Sequence, residues 1–200
     1  MKLYLILVKV MLLTQVQSGL LQAQWKLEKK EGGIEVYTRP VEGSEYKEFK
    51  AEMVLDCSMD AILELLKDAD NFYKWLHNCK SSKLLKRIDH TLQYNYTVTE
   101  LPFPFDNRDM IFKAQFSVSN GIHKISLEGT PNYIQEQTNL VRMKDAKGSW
   151  IFTPLDDSKI KVSYQLWVDP GGAIPAWLSN LKVVEIPYES LNNMRMQLAK

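Results

Sequence analysis

The chain has 200 residues, with 25 Lys+Arg against 24 Asp+Glu and a formal net charge of +1. That length suits one domain with or without a targeting segment. The balanced charge gives no footprint for nucleic-acid binding, and no block of like charges marks a tail.

Residues 1–23 stand apart from the rest. Lys2 opens the segment, and Leu3–Leu13 is apolar except for Lys9. The apolar part falls short of the roughly 20 residues needed to span a bilayer. The pattern reads as a secretory signal peptide cleaved after Ala23, which leaves a domain over 24–200 exported to a periplasm or the outside. Losing Lys2 and Lys9 takes the net charge from +1 to −1. Cys57 and Cys79 are then free either to pair in an oxidising compartment or to sit as small buried hydrophobes.

Trp25-Lys26-Leu27 reads as a short helical start. Gly32-Gly33 is a turn, after which Ile34–Arg39 and Tyr46–Leu55 alternate as two strands of a hairpin. In the second strand Phe49, Ala51, Met53 and Leu55 share the apolar face. Ser58 is an N-cap for a helix carrying Met59, Ile62, Leu63, Leu66 and Ala69 at helical spacing. The stretch Asn71–Leu76 is aromatic and irregular. Strands follow over Ser82–Ile88 and Leu92–Glu100, the second with Leu92, Tyr94, Tyr96 and Val98 on one face.

Leu101–Asn107 contains two prolines and so cannot be strand interior. An apolar loop of this kind calls for an explanation. Met110–Ser119 and His123–Gly129 form a hairpin across Asn120-Gly121. Leu140–Lys144 and Gly148–Pro154 are expected to pair across a turn, and Lys159–Val168 is the last strand. Asn95-Tyr96-Thr97 matches a glycosylation pattern but falls within a strand.

Asp169-Pro170-Gly171-Gly172 ends that strand in a turn, and Ile174-Pro175 opens a long helix over 174–198. Apolar residues recur by threes and fours from Ile174 through Trp177, Leu178, Leu181 and Val184 to Leu198. Pro187 removes one helical hydrogen bond, and the expectation there is a kink. A helix of roughly 37 Å needs a large concave apolar surface to lie on. The short connections favour antiparallel pairing, so the chain reads as one α+β domain.

In this order and spacing, the residues resemble the steroidogenic-acute-regulatory-related lipid transfer (START) domain. The matching pieces are Trp25 with Gly33–Arg39, Lys47–Ala51, Trp75 with Cys79, the Pro-rich loop leading to Arg108-Asp109, Val141-Arg142, Gly148–Trp150, and Asp169–Leu178. The resemblance implies a helix-grip fold. In that fold a curved antiparallel sheet wraps the C-terminal helix around an internal hydrophobic tunnel for a lipid, fatty acid or sterol. It further implies a gate, which here would be Pro102, Phe103 and Phe105 in the loop and Ile174 at the helix start. Candidate ligand-binding residues are Trp75, Tyr94, Tyr96, Arg108, Arg142, Trp150, Tyr164, Trp177, Leu178 and Leu181. The chain departs from steroid-handling members at Ala114, where they carry a cavity arginine, and it does not show the aromatic cage of choline-lipid binders, although Trp75, Tyr94, Tyr96, Trp150, Tyr164 and Trp167 could supply aromatic faces for a cation.

No Gly-x-Ser-x-Gly elbow, His-Glu-x-x-His helix, Walker loop or dinucleotide fingerprint occurs, and three scattered histidines suggest no metal site. The expectation is therefore a monomeric, non-enzymatic carrier without metal or cofactor. Its partner is a hydrophobic small molecule, and any membrane contact is local, apolar and transient. The alternative is a helix-grip enzyme of the cyclase or hydrolase type, with Glu100, Asp109, His123 and Tyr164 as acid–base candidates.

Overall fold

The computed structural model describes residues 24–172 and 174–199. The expected signal peptide, residues 1–23, lies outside them. The elements run β1 (Lys26–Glu31), β2 (Ile34–Arg39), β3 (Glu48–Asp56), α1 (Met59–Lys67), a 3₁₀ turn (Ala69–Lys74), β4 (Cys79–Arg87) and β5 (Leu92–Thr99). They continue with β6 (Arg108–Ser119), β7 (Ile122–Gly129), β8 (Val141–Arg142), β9 (Asp145–Pro154), β10 (Lys159–Asp169) and α2 (Ala176–Leu198).

Nine strands form one open antiparallel path in the order β1-β2-β3-β10-β9-β7-β6-β5-β4, and β8 pairs β6 in parallel. Alternation on β2 and β3 puts Ile34, Val36, Ala51, Met53 and Leu55 in the core. Side chains on successive strand residues point to opposite faces, so this pattern fixes the register. Gly148 marks the tightest approach in the sheet, since a Cβ there would lie 2.3 Å from the Gln165 carbonyl oxygen. The β6–β7 hairpin turns on Asn120 (φ 50°) and Gly121 (φ 75°), the left-handed pair a two-residue loop requires.

α2 accounts for the curvature of the sheet. Arg195 Nη1 donates to the Gly32 carbonyl (2.7 Å) between β1 and β2, and Asn180 holds Glu45 and Lys47 ahead of β3. On its other side Asn193 Nδ2 donates to the Trp75 carbonyl (3.2 Å), and the His77 amide donates to Ser190 Oγ (3.0 Å), just before β4. One helix thus touches both ends of the strand path, which an open sheet allows only by bending round it. Leu191 and Met194 are fully buried in the shared core.

Three local expectations are corrected. Residues 26–31 form an edge strand, not a helical start. Leu27 is half exposed and supplies no apolar stripe, while the Trp25 ring stacks under Arg39 and Lys50. The segment expected to pair with Gly148–Pro154 instead pairs with β6, because the Met143 amide donates to the Asp109 carbonyl (2.9 Å) and Arg142 reaches the Asp109 carboxylate. α2 begins at Ala176 with Pro175 just ahead of it, and continues through a buried Pro187.

The Ser58 hydroxyl caps α1 as expected, accepting from the Ala61 amide (3.3 Å). Cys57 and Cys79 are both free thiols, and burial pushes the Cys79 thiol up to about 11. Asn95 of the glycosylation pattern is buried.

Candidate functional site

A cavity of about 200 Å³ lies between α2 and the concave face of the sheet. Phe49, Met110, Phe112, Tyr164, Leu166 and Val168 form its sheet wall, and Leu178, Val183 and Ile186 form its helix wall. Leu101, Pro102 and Phe105 close one side of its mouth, with Ile174 and Pro170 opposite. A smaller chamber of about 40 Å³ adjoins it on the inner side, sharing Leu76, Thr97, Phe112 and Tyr164 with the main cavity. Trp150 walls this chamber and stacks on Tyr164 with ring centroids 3.7 Å apart.

Polar groups enter the apolar lining at defined places. Thr97 and Thr99 come from the inner face of β5, and Ser190 from α2. At the rim, Lys182 Nζ lies 2.6 Å from Glu185 Oε2, and His77 Nε2 lies 3.3 Å from Glu185 Oε1. The hydrogen bond from Lys182, and then that from His77, hold the Glu185 carboxyl below its usual range. Burial alone raises the Tyr164 phenol. Arg108 is buried beside the mouth and ties the two sides of it together. Its guanidinium donates to the carbonyls of Asp106 in the loop and of Pro170 and Gly171 (3.4 Å each) in the turn before α2. The loop is cinched at its base, where the Leu101 amide donates to Asn107 Oδ1 (3.1 Å).

An apolar cavity gripped between a bent sheet and a C-terminal helix has the concave, mostly apolar character of a small-molecule site. A START domain model matches residues 10–195. The chain belongs to the START domain family.

A solved structure described as a STAR-related lipid transfer protein from Xanthomonas axonopodis is 37% identical, with a TM-score of 0.83 over 88% of this chain and 99% of that one. An uncharacterized protein of Pseudomonas aeruginosa is 31% identical over 186 residues, 92% of each chain. The human phosphatidylcholine transfer protein is 28% identical over 170 residues, covering 82% of this chain and 78% of that one. The helix-grip architecture of a START domain is thus the architecture seen here, with the sheet open rather than closed into a barrel.

Within this START domain, the residues singled out in the sequence divide into three groups. Arg108, Tyr164 and Leu178 line the main cavity, as do Pro102, Phe105 and Ile174 of the expected gate. Trp75, Trp150 and again Tyr164 line the inner chamber. The remaining residues lie elsewhere. Tyr94 and Tyr96 point to the opposite face of β5. There Tyr94 stacks on Tyr133 (4.1 Å), and the Tyr96 hydroxyl donates to Asp109 Oδ2 (3.0 Å). Arg142 is on that face too, in a two-pronged bond to Asp109 (2.9 and 2.8 Å), and reaches no lining position. Trp177 and Leu181 are 65% and 64% exposed, and Phe103 is 96% exposed.

The lining residues the sequence reading missed include apolar ones such as Phe49, Met110, Phe112 and Leu166, and also polar ones: Asn95, Thr97, Thr99, His77, Lys182 and Ser190. The signal was present in β5, where taking the odd-numbered face as inner selects Asn95, Thr97 and Thr99. Of the acid–base candidates only Tyr164 reaches the cavity. Glu100 is exposed beside Lys80, Asp109 is held by Arg142, and His123 lies on β7 away from the lining.

Proposed function

We propose that this START domain carries a single amphiphilic lipid, burying its apolar part in the cavity and exchanging it at a membrane surface. The observation that carries the reading is the mouth. Beside the inward-facing Pro102, Phe105 and Leu178, the same two segments present Phe103, Trp177 and Leu181 to solvent. Large apolar side chains left exposed at an entrance mark a surface that meets another apolar phase. Each methylene of the cargo moved from water into the cavity contributes about 0.8 kcal/mol, so a chain of modest length suffices for tight holding. His77 and Lys182, which line the cavity and both pair with Glu185, keep a headgroup near water while the chain is buried.

Transfer of a fluorescent acyl lipid between vesicle populations tests this. The expectation is catalysed transfer by the wild-type chain. Trp177→Glu combined with Leu181→Glu should slow transfer at least several-fold while leaving the amount of lipid held in solution unchanged. Absence of transfer with any acyl lipid contradicts the carrier reading. Equal loss of transfer and of holding contradicts the assignment of these two residues to the membrane side.

A further inference from the structure

Arg108 and Arg142 are equally buried, each 3% exposed, yet they are paired differently. Arg142 holds the Asp109 carboxylate with two prongs, 2.9 and 2.8 Å. Arg108 forms no ion pair among the described residues, where Arg39 and Arg142 are the arginines that do. Its guanidinium has five N–H donors, and three of them go to the backbone carbonyls of Asp106, Pro170 and Gly171. Neutral oxygens solvate the cation but leave its charge uncompensated, and a buried charge in that position is costly. The Asp106 side chain is exposed, and its pull on Arg108 is outweighed by burial. The approach to the guanidinium is kept open by Gly172, where a Cβ would lie 3.3 Å from Arg108 Nη2.

The cavity repeats the bias. Its charged lining residues are Lys47, Arg108 and Lys182, all basic, and no Asp or Glu lines it. The chain as a whole is balanced at 25 Lys+Arg to 24 Asp+Glu, so composition does not account for this. Lys182 is neutralised by Glu185 (2.6 Å), and Lys47 lies 3.9 Å from Glu28. Arg108 is the cation left over, and it sits where the loop and the turn before α2 meet.

We infer that Arg108 is the anchor for an acidic headgroup: the cargo is an amphiphile with a carboxylate or phosphate head, held at the mouth by the guanidinium with its chain directed inward. The inference rests on the carrier reading above and narrows it to acid-headed lipids, ahead of zwitterionic or uncharged ones. A carboxylate or phosphate is the acceptor that the planar guanidinium fits best, and charge-assisted bonds are stronger than those to carbonyls.

The test is competitive binding of decanoic acid, decyl phosphate and decanol to the full chain, ligands that share a chain and differ in head. A cavity that recognises the chain alone favours decanol, since an anion loses its water on entry and gains no partner. The anchor predicts the reverse, with both acids binding roughly tenfold or more tighter than decanol, the worth of a hydrogen bond to a charged group. Arg108→Met should remove that preference, and its decanol affinity reports that the cavity is still folded. Lys182→Met should lower the preference less than Arg108→Met does. If Arg108→Met does not fold, the wild-type ratio and Lys182→Met carry the test. An acid preference retained in Lys182→Met supports the anchor, and one abolished there moves the site to the helix and overturns it. A wild-type preference for decanol, or an acid preference unchanged in folded Arg108→Met, overturns the anchor and leaves the carrier reading intact. Inorganic phosphate at the same concentration should not displace decanoic acid; displacement would mean a site for the free anion and would overturn the headgroup assignment. If none of the three amphiphiles binds, the carrier reading fails and the anchor with it.

Discussion

At the scale of single residues, adjacent side chains on one strand have separate tasks. Arg108 and Asp109 are neighbours in sequence and opposite in direction. Arg108 faces the mouth and is solvated by backbone carbonyls, and burial lowers its pKa. Asp109 faces away and takes both prongs of Arg142, each side chain 1% exposed. Truncating Arg142 to Met leaves a buried carboxylate without its cation, which costs about 3–5 kcal/mol of folding stability. Urea denaturation measures this, and replacing Asp109 by Leu in the same chain should recover much of the loss. Tyr96 adds a pH signature. Burial, and then the Asp109 carboxylate, push its phenol from 10.0 up to about 12. The folded chain holds that proton more tightly than the unfolded one. The stabilisation is therefore complete below pH 10 and is lost as pH rises toward 12. Tyr96→Phe should accordingly flatten the fall in stability over that window, and an unchanged slope would contradict the network. That a charged pair lies at Arg108-Asp109 is suggested by the sequence. Its true partner, Arg142, sits 33 residues on and required the fold to be known.

At the scale of elements, the phase of an amphipathic pattern is the point at issue. Apolar spacing correctly marked the long helix, yet the line facing the cavity runs from Ile174, just before it, through Leu178, Lys182 and Ile186 to Ser190. Two of these are polar, Lys182 paired with Glu185 and Ser190 accepting from the His77 amide, so a search for hydrophobic residues alone selects Trp177 and Leu181 instead. β5 misleads in the same way: on its outer face Tyr94 stacks on Tyr133 and Tyr96 bonds Asp109, while Asn95, Thr97 and Thr99 face the cavity. β2 and β3 were legible because their alternation meets solid core, and the β6–β7 hairpin because Asn120-Gly121 supplies the left-handed pair of its turn. The two halves of α2 are also held differently. The first half is tied by Asn180, whose Oδ1 accepts from the Lys47 amide (3.0 Å) and whose Nδ2 donates to the Glu45 carbonyl (3.1 Å). The second half is anchored by buried Leu191 and Met194 and by Ser190, Asn193 and Arg195. Asn180→Ala removes two hydrogen bonds, about 1–2 kcal/mol. Hydrogen exchange should then rise over residues 176–186 and stay unchanged over 190–198. Leu178→Glu, which puts a charge on the inner wall, should abolish lipid holding without altering vesicle contact.

At the scale of the whole molecule, the sheet order and the helix together produce the cavity. The strand path ends at β1 and β4, and α2 bonds to the segments beside both. A sheet bent to reach one helix from two sides cannot fill the space between them with side chains from a single layer, and the remaining space is the cavity. The need for a concave apolar surface could be read from the length of the helix alone. The inner chamber could not, since it depends on which face of β5 turns inward. The most direct test of the carrier reading is native mass spectrometry of the protein purified without detergent, set against its denatured mass. A discrete extra mass of amphiphile size, one per chain and lost on denaturation, is the predicted result. A mass equal to that of the bare chain, unshifted after incubation with mixed fatty acids, phospholipids and sterols, would contradict it.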